Sequence, residues 1–337
     1  MNDKIIVSPA PHISKHLSTQ RIMLDVIIGL IPAMIMAGIY FRLQALFVVT
    51  TCVVTCVVSE WICNIIRKKP NSVTDLSAVI TGIILAFSLP PAVPLWIPVI
   101  GGAFSIIIGK MVFGGLGANI FNPAMVGRTF LAASFGALMT TWTVPATIDK
   151  AMPQISASNT VAVTQATPLA WVKESKKTTL DATMVFNEQF NKTFWGNTGG
   201  CLGETSAIAL IIGGIYILAR KTITWHIPVG VLAAAFVCAV IPYLINSQHY
   251  ISPVFHLTSG ALLLGAFFIA TDPVTAPLTE KGMLIFAAGV GALTILIRIV
   301  GEYPEGFMYA ILLMNAVTPL IDRFCKPKPL GGEPSNG

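Results

Sequence analysis

The sequence predicts an all-α integral membrane protein with about ten transmembrane helices. Of its 337 residues, 54% are hydrophobic and only 11% are charged, and the mean hydropathy is +0.77. Charged residues make up about a quarter of a typical soluble domain, so these values exclude a water-soluble globule. The apolar residues also fall into long runs, as they must if helices of about 20 residues are to cross a bilayer.

Ten apolar runs qualify as spans, five before and five after one long polar segment. They cover residues 22–41, 45–66, 76–90, 94–108, 120–139, 206–218, 227–245, 255–270, 283–299 and 307–321. Several are short, so we expect some of these helices to tilt or break. The first 21 residues are polar and basic, without an apolar core and small-residue cleavage site, which favours a retained first span over a cleaved signal.

Basic residues predict the orientation, because short cytoplasmic loops carry an excess of Lys and Arg. The termini and alternate loops are basic, at Lys4, Lys15, Arg21, Arg67, Lys68, Lys69, Lys110, Arg220, Lys221, Lys281, Arg323, Lys326 and Lys328. The predicted order is a cytoplasmic segment (1–21), a membrane half (22–141), an extracytoplasmic loop (142–203), a second membrane half (204–322) and a cytoplasmic tail (323–337). Because these charges are spread over span ends, we expect no nucleic acid partner.

Five spans per half would give the second half the opposite orientation to the first, as in many transport folds. Two internal similarities support such inverted halves. Residues 75–78 leading to 89–91 resemble 258–261 leading to 271–273, and Phe-Asn-Pro-Ala at 121–124 resembles Met-Asn-Ala-Val at 314–317.

The six cysteines contain no Cys-x-x-Cys pair, so the chain alone predicts neither a zinc site nor an iron–sulfur cluster. We expect them to be small apolar residues inside spans. Cys52 and Cys56 share a helix face, which would also suit a site shared with another subunit. The histidines are scattered, and none is predicted to bind a metal.

Ionisable residues in or beside spans are candidate functional residues, because an unpaired charge in hydrocarbon is costly. They are Glu60, Asp75, Arg128, Glu204, Asp272, Arg298 and Asp322. Glu60 and Arg298 could lie near an interface, where a long side chain reaches water.

Three of these residues, Asp75, Asp272 and Asp322, are candidates for an ion path. Asp272 lies in a Thr-Asp-Pro break, where proline frees backbone carbonyls that could join a carboxylate around a hard cation. Helix capping and hydration are the structural alternative.

The glycine-rich turn at 199–206 precedes a span, and glycine lets backbone amides approach a ligand near a positive helix N-terminus. Gly203, Glu204, Thr205 and Ser206 are therefore predicted to bind a cofactor. The alternative is close helix packing with an N-cap by Thr205 or Ser206.

Motifs along nearly the whole chain resemble one known family. They include Ser-Pro-Ala-Pro-His-Ile at 8–13, the segment 19–26, Gly-Gly-Leu-Gly-Ala-Asn-Ile-Phe-Asn-Pro at 114–123 with its continuation to Arg128, and the segments 199–207, 270–277 and 315–323. The family comprises the D subunit of the Rnf complex, a membrane-bound ferredoxin:NAD+ oxidoreductase, and the B subunit of the sodium-pumping NADH:quinone oxidoreductase. Segment 1–21 is shorter than the N-terminal extension usual in that B subunit, which favours the Rnf branch.

The resemblance implies an FMN joined by a phosphoester to a threonine in a Ser-Gly-Ala-Thr context, placed there by a flavin transferase. The matching residues are Thr-Gln-Ala-Thr at 164–167, followed by Pro-Leu, which makes Thr167 the candidate. Gln165 departs most from the pattern, since glycine permits backbone conformations that glutamine resists. Thr183, in Asp-Ala-Thr-Met, is the rival site.

The resemblance further implies a component of a redox-driven Na+ or H+ pump in a bacterial cytoplasmic (inner) membrane, working with the A, B, C, E and G subunits of the Rnf complex. Ferredoxin and NAD+ would bind on partners, because this chain lacks a dinucleotide fingerprint. The homologous subunit of the sister complex also holds a non-covalent riboflavin, which is a second candidate cofactor. The competing functions are a flavin-free solute channel or secondary transporter, and a scaffold for the other subunits.

Overall fold

A computed structural model describes residues 18–142, 167, 169–170, 190, 193–196, 198–247, 250–301 and 305–326. Within these ranges the secondary structure is entirely helical, and no strand occurs. Most of the predicted loop 142–203, including Thr164, Gln165 and Thr183, lies outside the described residues, as do residues 1–17 and 327–337.

In the described part of the chain, five helices precede the polar segment. They are α1 (Thr19–Ile66), α2 (Ser77–Phe87), α3 (Trp96–Ile106), α4 (Pro123–Ser134) and α5 (Gly136–Met139). Helix α1 is interrupted at Arg42, whose backbone angles (φ 50°, ψ −130°) are not helical. Helix α3 continues into a π-helical turn, Ile107–Met111.

Six helices follow the polar segment among the residues that the structure describes. They are α6 (Ala207–Ala219), α7 (His226–Ile245), α8 (Pro253–Thr258), α9 (Leu262–Leu264), α10 (Glu280–Val300) and α11 (Phe307–Phe324). A second π-helical turn, Gly265–Ile269, continues α9. Among the described residues, four helices (α1, α7, α10 and α11) are long and apolar enough to cross a membrane. Many large apolar side chains on them are exposed, such as Ile35, Val237 and Leu296, as expected for surfaces that face lipid.

Side-chain caps explain where several helices begin. The Asn122 carboxamide accepts from the amides of Ala124 and Met125 at the start of α4, where proline occupies the first helical position. Both features are typical of helix N-termini, because they satisfy or avoid amides that lack intrahelical partners.

Two of the predicted spans are not continuous helices. The run 120–139 begins as a helix only at Pro123 and is broken at Phe135. The run 255–270 is divided between α8 and α9, because Gly260 adopts a positive φ of 70°. The second internal similarity is also not reproduced, since Pro123 starts a helix whereas Ala316 lies within one.

Three sequence-based expectations about charged residues are wrong. Glu60 and Arg298 do not reach towards water: they are 0% and 3% exposed and are paired with Lys110 and Glu305. Lys110 is not a loop residue marking the cytoplasmic face, since it lies in the π-helical turn and is 1% exposed.

Cys52 and Cys56 are fully buried. The thiol of Cys56 donates to the carbonyl of Gly102 at 3.7 Å. The helix face that they share is therefore packed inside this chain, as expected of apolar fillers, and is not open to another subunit.

Glycines bring helices from before and after the polar segment into backbone contact. The backbones of Gly29 in α1 and Gly213 in α6 are so close that a Cβ on Gly213 would collide with the Gly29 carbonyl, and a Cβ on Gly29 would lie only 3.2 Å from the Gly213 carbonyl oxygen. Small residues allow the same close approach between helices in other membrane proteins.

Candidate functional site

Thr167 lies beside a cleft of about 780 Å³, solvent at its mouth included, which we call the Thr167 cavity. Helix α4 contributes Arg128, the 198–204 turn contributes Cys201 and Glu204, and the segment before α11 contributes Glu305. Thr167 itself is 7% exposed. The predicted attachment residue is thus brought together with charged residues that are distant in sequence.

The Thr167 hydroxyl oxygen accepts a hydrogen bond of 3.1 Å from the amide of Ala170. This contact uses a lone pair and not the hydroxyl proton, so an ester oxygen could still accept it. The local geometry is therefore compatible with a bond from this oxygen to phosphorus.

The glycine-rich turn is fixed to the end of α2 by backbone hydrogen bonds. The amide of Gly203 donates to the Phe87 carbonyl at 2.8 Å, and the amide of Leu202 donates to the Leu89 carbonyl at 3.1 Å. These bonds satisfy carbonyls that have no intrahelical partner at a helix C-terminus.

Of the four residues predicted in this turn, Glu204 lines the Thr167 cavity. The hydroxyl of Thr205 donates to the Leu202 carbonyl, and the hydroxyl of Ser206 accepts from the Ala209 amide as the N-cap of α6. Gly203 fits closely against the Phe87 side chain. The structure thus gives Gly203, Thr205 and Ser206 packing and capping contacts, and a cofactor-binding role for them stays a prediction.

Two carboxylates, Glu204 and Glu305, and the guanidinium group of Arg128 line the cavity. Glu305 forms an ion pair of 2.9 Å with Arg298 and accepts from the amides of Ala261, Gly306 and Phe307. Burial, and then the nearby Glu305 carboxylate, raise the pKa of Glu204 to about 7. Glu305 was not predicted from the sequence, because it lies between predicted spans. The signal that could have identified it is Arg298, an oppositely charged residue seven positions earlier.

A second cleft of about 730 Å³, the Lys110 cavity, is lined by Lys110, Ser77, Asn119 and Asp272. Helix α4 contributes to both cavities, with Ala124 lining the Lys110 cavity and Arg128 the Thr167 cavity. Four residues of α-helix rise about 6 Å, so the two linings are close along α4.

Lys110 is the centre of a buried polar network. Its ammonium group is 2.7 Å from Glu60 and donates to the Ser77 hydroxyl at 2.6 Å. The Ser77 hydroxyl in turn donates to Asp75 at 2.5 Å. Glu60 also accepts from the Ser72 hydroxyl at 2.5 Å.

The three predicted ion-path aspartates have different surroundings. Asp272 lines the Lys110 cavity and accepts from the Val274 amide and the Thr275 hydroxyl. Asp75 reaches Lys110 through Ser77, whereas Asp322 accepts from the Leu278 amide and is absent from the lining of both cavities. The structure therefore links Asp75 and Asp272 to one cavity and leaves Asp322 apart.

Histidine, cysteine and acidic side chains form no group of three that could hold a metal ion in the part of the chain that the structure describes. The Thr167 cavity combines a hydroxyl group with the partly buried cation of Arg128, which suits a ligand that carries an anionic phosphate.

These features define an all-helical integral membrane protein with two cavities that share helix α4. A sequence model of the NQR2, RnfD, RnfE family matches residues 6–331. The chain therefore belongs to that family, and the resemblance predicted from its motifs is confirmed.

Two relatives are 42% identical to this chain. One is the D subunit of the Na(+)-translocating ferredoxin:NAD(+) oxidoreductase complex of Acetobacterium woodii, aligned over 98% of this chain and 97% of that protein. The other is the D subunit of the proton-translocating ferredoxin:NAD(+) oxidoreductase complex of Clostridium ljungdahlii, with 96% of each covered. The D subunit of the ion-translocating oxidoreductase complex of Cronobacter sakazakii is 38% identical over 96% of this chain and 98% of that protein.

Proposed function

We propose that this protein is the D subunit of an ion-translocating ferredoxin:NAD+ oxidoreductase, the Rnf complex, and that it carries FMN as a phosphoester on Thr167. Full-length similarity to subunits with this name supports the first part. It would work in a bacterial cytoplasmic membrane with the A, B, C, E and G subunits, its termini in the cytoplasm. Ferredoxin and NAD+ would bind on those partners.

The observation that supports the flavin proposal is the position of the Thr167 side chain at the edge of a cleft that is also lined by Arg128 and Glu204. A covalently bound flavin would supply one- and two-electron transfer, while the protein sets its orientation and potential. Thr167 would anchor it, and the turn at 199–206, fastened to α2, would keep Glu204 facing it.

The Lys110 cavity is where we place the riboflavin that the resemblance implies. Its lining offers side-chain amides from Asn119 and Asn122 and charges from Lys110 and Asp272. Both carboxylates linked to this cavity, Asp75 and Asp272, are also our candidates for the path of Na+ or H+, with Asp322 as a further one. About ten spans in two inverted halves are the membrane architecture that we propose for this path.

In-gel fluorescence of the denatured protein, expressed with a flavin transferase, tests the attachment site. We expect the wild-type band to fluoresce and the Thr167→Ala band to be dark. Thr198→Ala, a change of the same size in the same cavity, and Thr183→Ala should both keep full fluorescence. A dark wild-type band would refute the proposal of a covalently bound flavin, while a dark Thr183→Ala band would assign the attachment to Thr183.

Electron transfer by the assembled complex separates a redox role from a scaffold. We expect Thr167→Ala to assemble with its partners yet lose electron transfer. Normal electron transfer in that variant would leave assembly as the function of this protein.

A further inference from the structure

We propose that Arg128 is the phosphate-binding residue of the Thr167 cavity, where its guanidinium group pairs with the phosphate of the flavin. This inference rests on the proposed function and adds a residue to it. Arg128 projects from α4 and lines the same cleft as Thr167. Its Nη1 atom is buried and has no hydrogen-bond partner among the residues that the structure describes, which points to a ligand that supplies one.

The protein contacts of Arg128 do not neutralise its charge. Its side-chain hydrogen bond goes from Nη2 to the sulfur of Cys201 at 3.9 Å, and sulfur is a weak acceptor. No carboxylate of the described residues comes within ion-pair distance of it. A guanidinium group stays charged at any physiological pH and offers five donors, so leaving it unpaired in a partly buried position is costly.

Arg298, which pairs with the cavity residue Glu305, is an arginine whose charge is neutralised within the protein, in contrast to Arg128. Arg298 donates to the carbonyls of His256 and Ser259 and to both oxygens of Glu305. Glu305 is in turn occupied by three backbone amides. Arg298 and Glu305 therefore balance each other, and neither is available to Arg128.

Glu204 is the remaining charged group that lines the cavity. It shares a side-chain hydrogen bond with Cys201 and forms no ion pair with Arg128. Because the pKa of Glu204 is raised to about 7, its carboxyl is partly protonated near neutral pH and offsets only part of the cationic charge. The cavity thus keeps an excess of positive charge at Arg128.

A phosphate ester matches both the guanidinium group and the Thr167 hydroxyl of this cavity. The planar guanidinium presents parallel N–H donors that bind two phosphate oxygens at once. The Thr167 hydroxyl in the same cleft is the atom to which the phosphate would be joined. A phospholipid headgroup offers the same chemistry, so the experiment must distinguish these two sources.

The test uses the full-length Thr167→Ala protein in detergent, which cannot form the ester, and measures binding of free FMN and free riboflavin by flavin fluorescence. We expect FMN binding to depend on Arg128, whereas riboflavin, which has no phosphate and which we place in the Lys110 cavity, should bind independently of it. Arg128→Gln in this background should weaken FMN binding about 10- to 100-fold, which corresponds to roughly 1.4–2.8 kcal/mol, and leave riboflavin binding unchanged. Arg128→Lys should recover part of the loss, and the exposed Arg323→Gln should have no effect.

Equal FMN affinity with and without Arg128 would overturn the proposal, as would equal losses for FMN and riboflavin. If the Arg128→Gln protein does not fold, millimolar inorganic phosphate added to the Thr167→Ala protein should displace FMN and spare riboflavin, and the absence of selective displacement would overturn it too. In nanodiscs, Arg128-dependent binding of phosphatidylglycerol without any effect on FMN would assign the site to lipid and reject the flavin assignment. A dark wild-type band in the in-gel fluorescence experiment would refute covalent attachment alone. The binding measurements on the Thr167→Ala protein would still test Arg128, because they do not require the ester.

Discussion

Replacing Lys110 by methionine should destabilise the protein strongly, because it would leave Glu60 as a buried charge without its partner. The pair is 2.7 Å apart, and the two side chains are 2% and 0% exposed. At an effective dielectric constant of about 20, two unit charges at this distance attract by roughly 6 kcal/mol. Desolvating them costs several kcal/mol for each ion, so the net contribution of the intact pair is small.

Removing one partner is a different matter, since breaking a buried pair typically costs about 3–5 kcal/mol. We therefore expect Lys110→Met to lower the free energy of unfolding by about that amount. The double variant Lys110→Met/Glu60→Gln should recover most of the loss, because no unpaired charge remains. The Ser72 hydroxyl that Glu60 now accepts from can donate to the glutamine as well.

The assay is unfolding of the detergent-purified protein by SDS, followed through helical content, for the wild type, both single variants and the double variant. Lys281→Met, at an exposed position on α10, is the matched control and should change stability by less than about 0.5 kcal/mol. A loss below about 1 kcal/mol in Lys110→Met, or a double variant as unstable as the sum of the single ones, would show that this reasoning about the pair is wrong.

The remaining predictions concern three carboxyl groups. The pKa of Glu204 is raised to about 7 in the folded state, so the folded protein binds the proton more tightly than the unfolded chain does. The free energy of unfolding should therefore fall as pH rises from about 4.5 through 7. Between pH 5 and 8 this fall should be smaller in Glu204→Gln, and an equal fall in both proteins would contradict the prediction. Glu305→Ala should cost about 3–5 kcal/mol in SDS unfolding, because the buried Arg298 loses its ion-pair partner and three amides lose an acceptor. An unaltered stability would show that water replaces the carboxylate. Asp272→Ala should slow ion transport by the complex in vesicles while in-gel flavin fluorescence stays at the wild-type level, and unchanged transport would remove Asp272 from the ion path.

Hydropathy predicted where most helices lie, because the apolar runs have to match the bilayer whatever their detailed packing. The boundary at Arg42 also followed from the sequence, since polar residues separate two apolar runs there. The π-helical turns could not be predicted, because apolar sequence carries no signal for them. The break at Gly260 had a signal in the polar Thr258 and Ser259 before it, but the hydropathy of the whole run concealed it.

Only the part of the candidate site that depends on local sequence could be predicted. Thr167 could be found from its local motif, and the structure adds that it lines a cavity. The roles of Lys110 and Glu305 depend on partners in the folded chain. Glu60 lies 50 positions from Lys110, and nothing local in the sequence distinguishes a buried lysine at the end of an apolar run from a basic residue in a loop.

Because both cavities are lined by helix α4, a charge in one cavity lies close enough to interact electrostatically with a charge in the other. Ala124 and Arg128 are one helical turn apart, so groups in the two cavities are separated by on the order of 10–15 Å once side chains are included. At an effective dielectric constant of about 20, unit charges at that distance interact by roughly 1–2 kcal/mol, which is about a tenfold change in an equilibrium constant. An extra negative charge in the Thr167 cavity would therefore strengthen cation binding beside Asp272 without any movement of a helix. If the proposed function is right, the redox state of the flavin and the affinity for the ion would be coupled by electrostatic interaction across this distance. Lys110, held by Glu60 and Ser77, would contribute a fixed positive charge to the Lys110 cavity in either redox state.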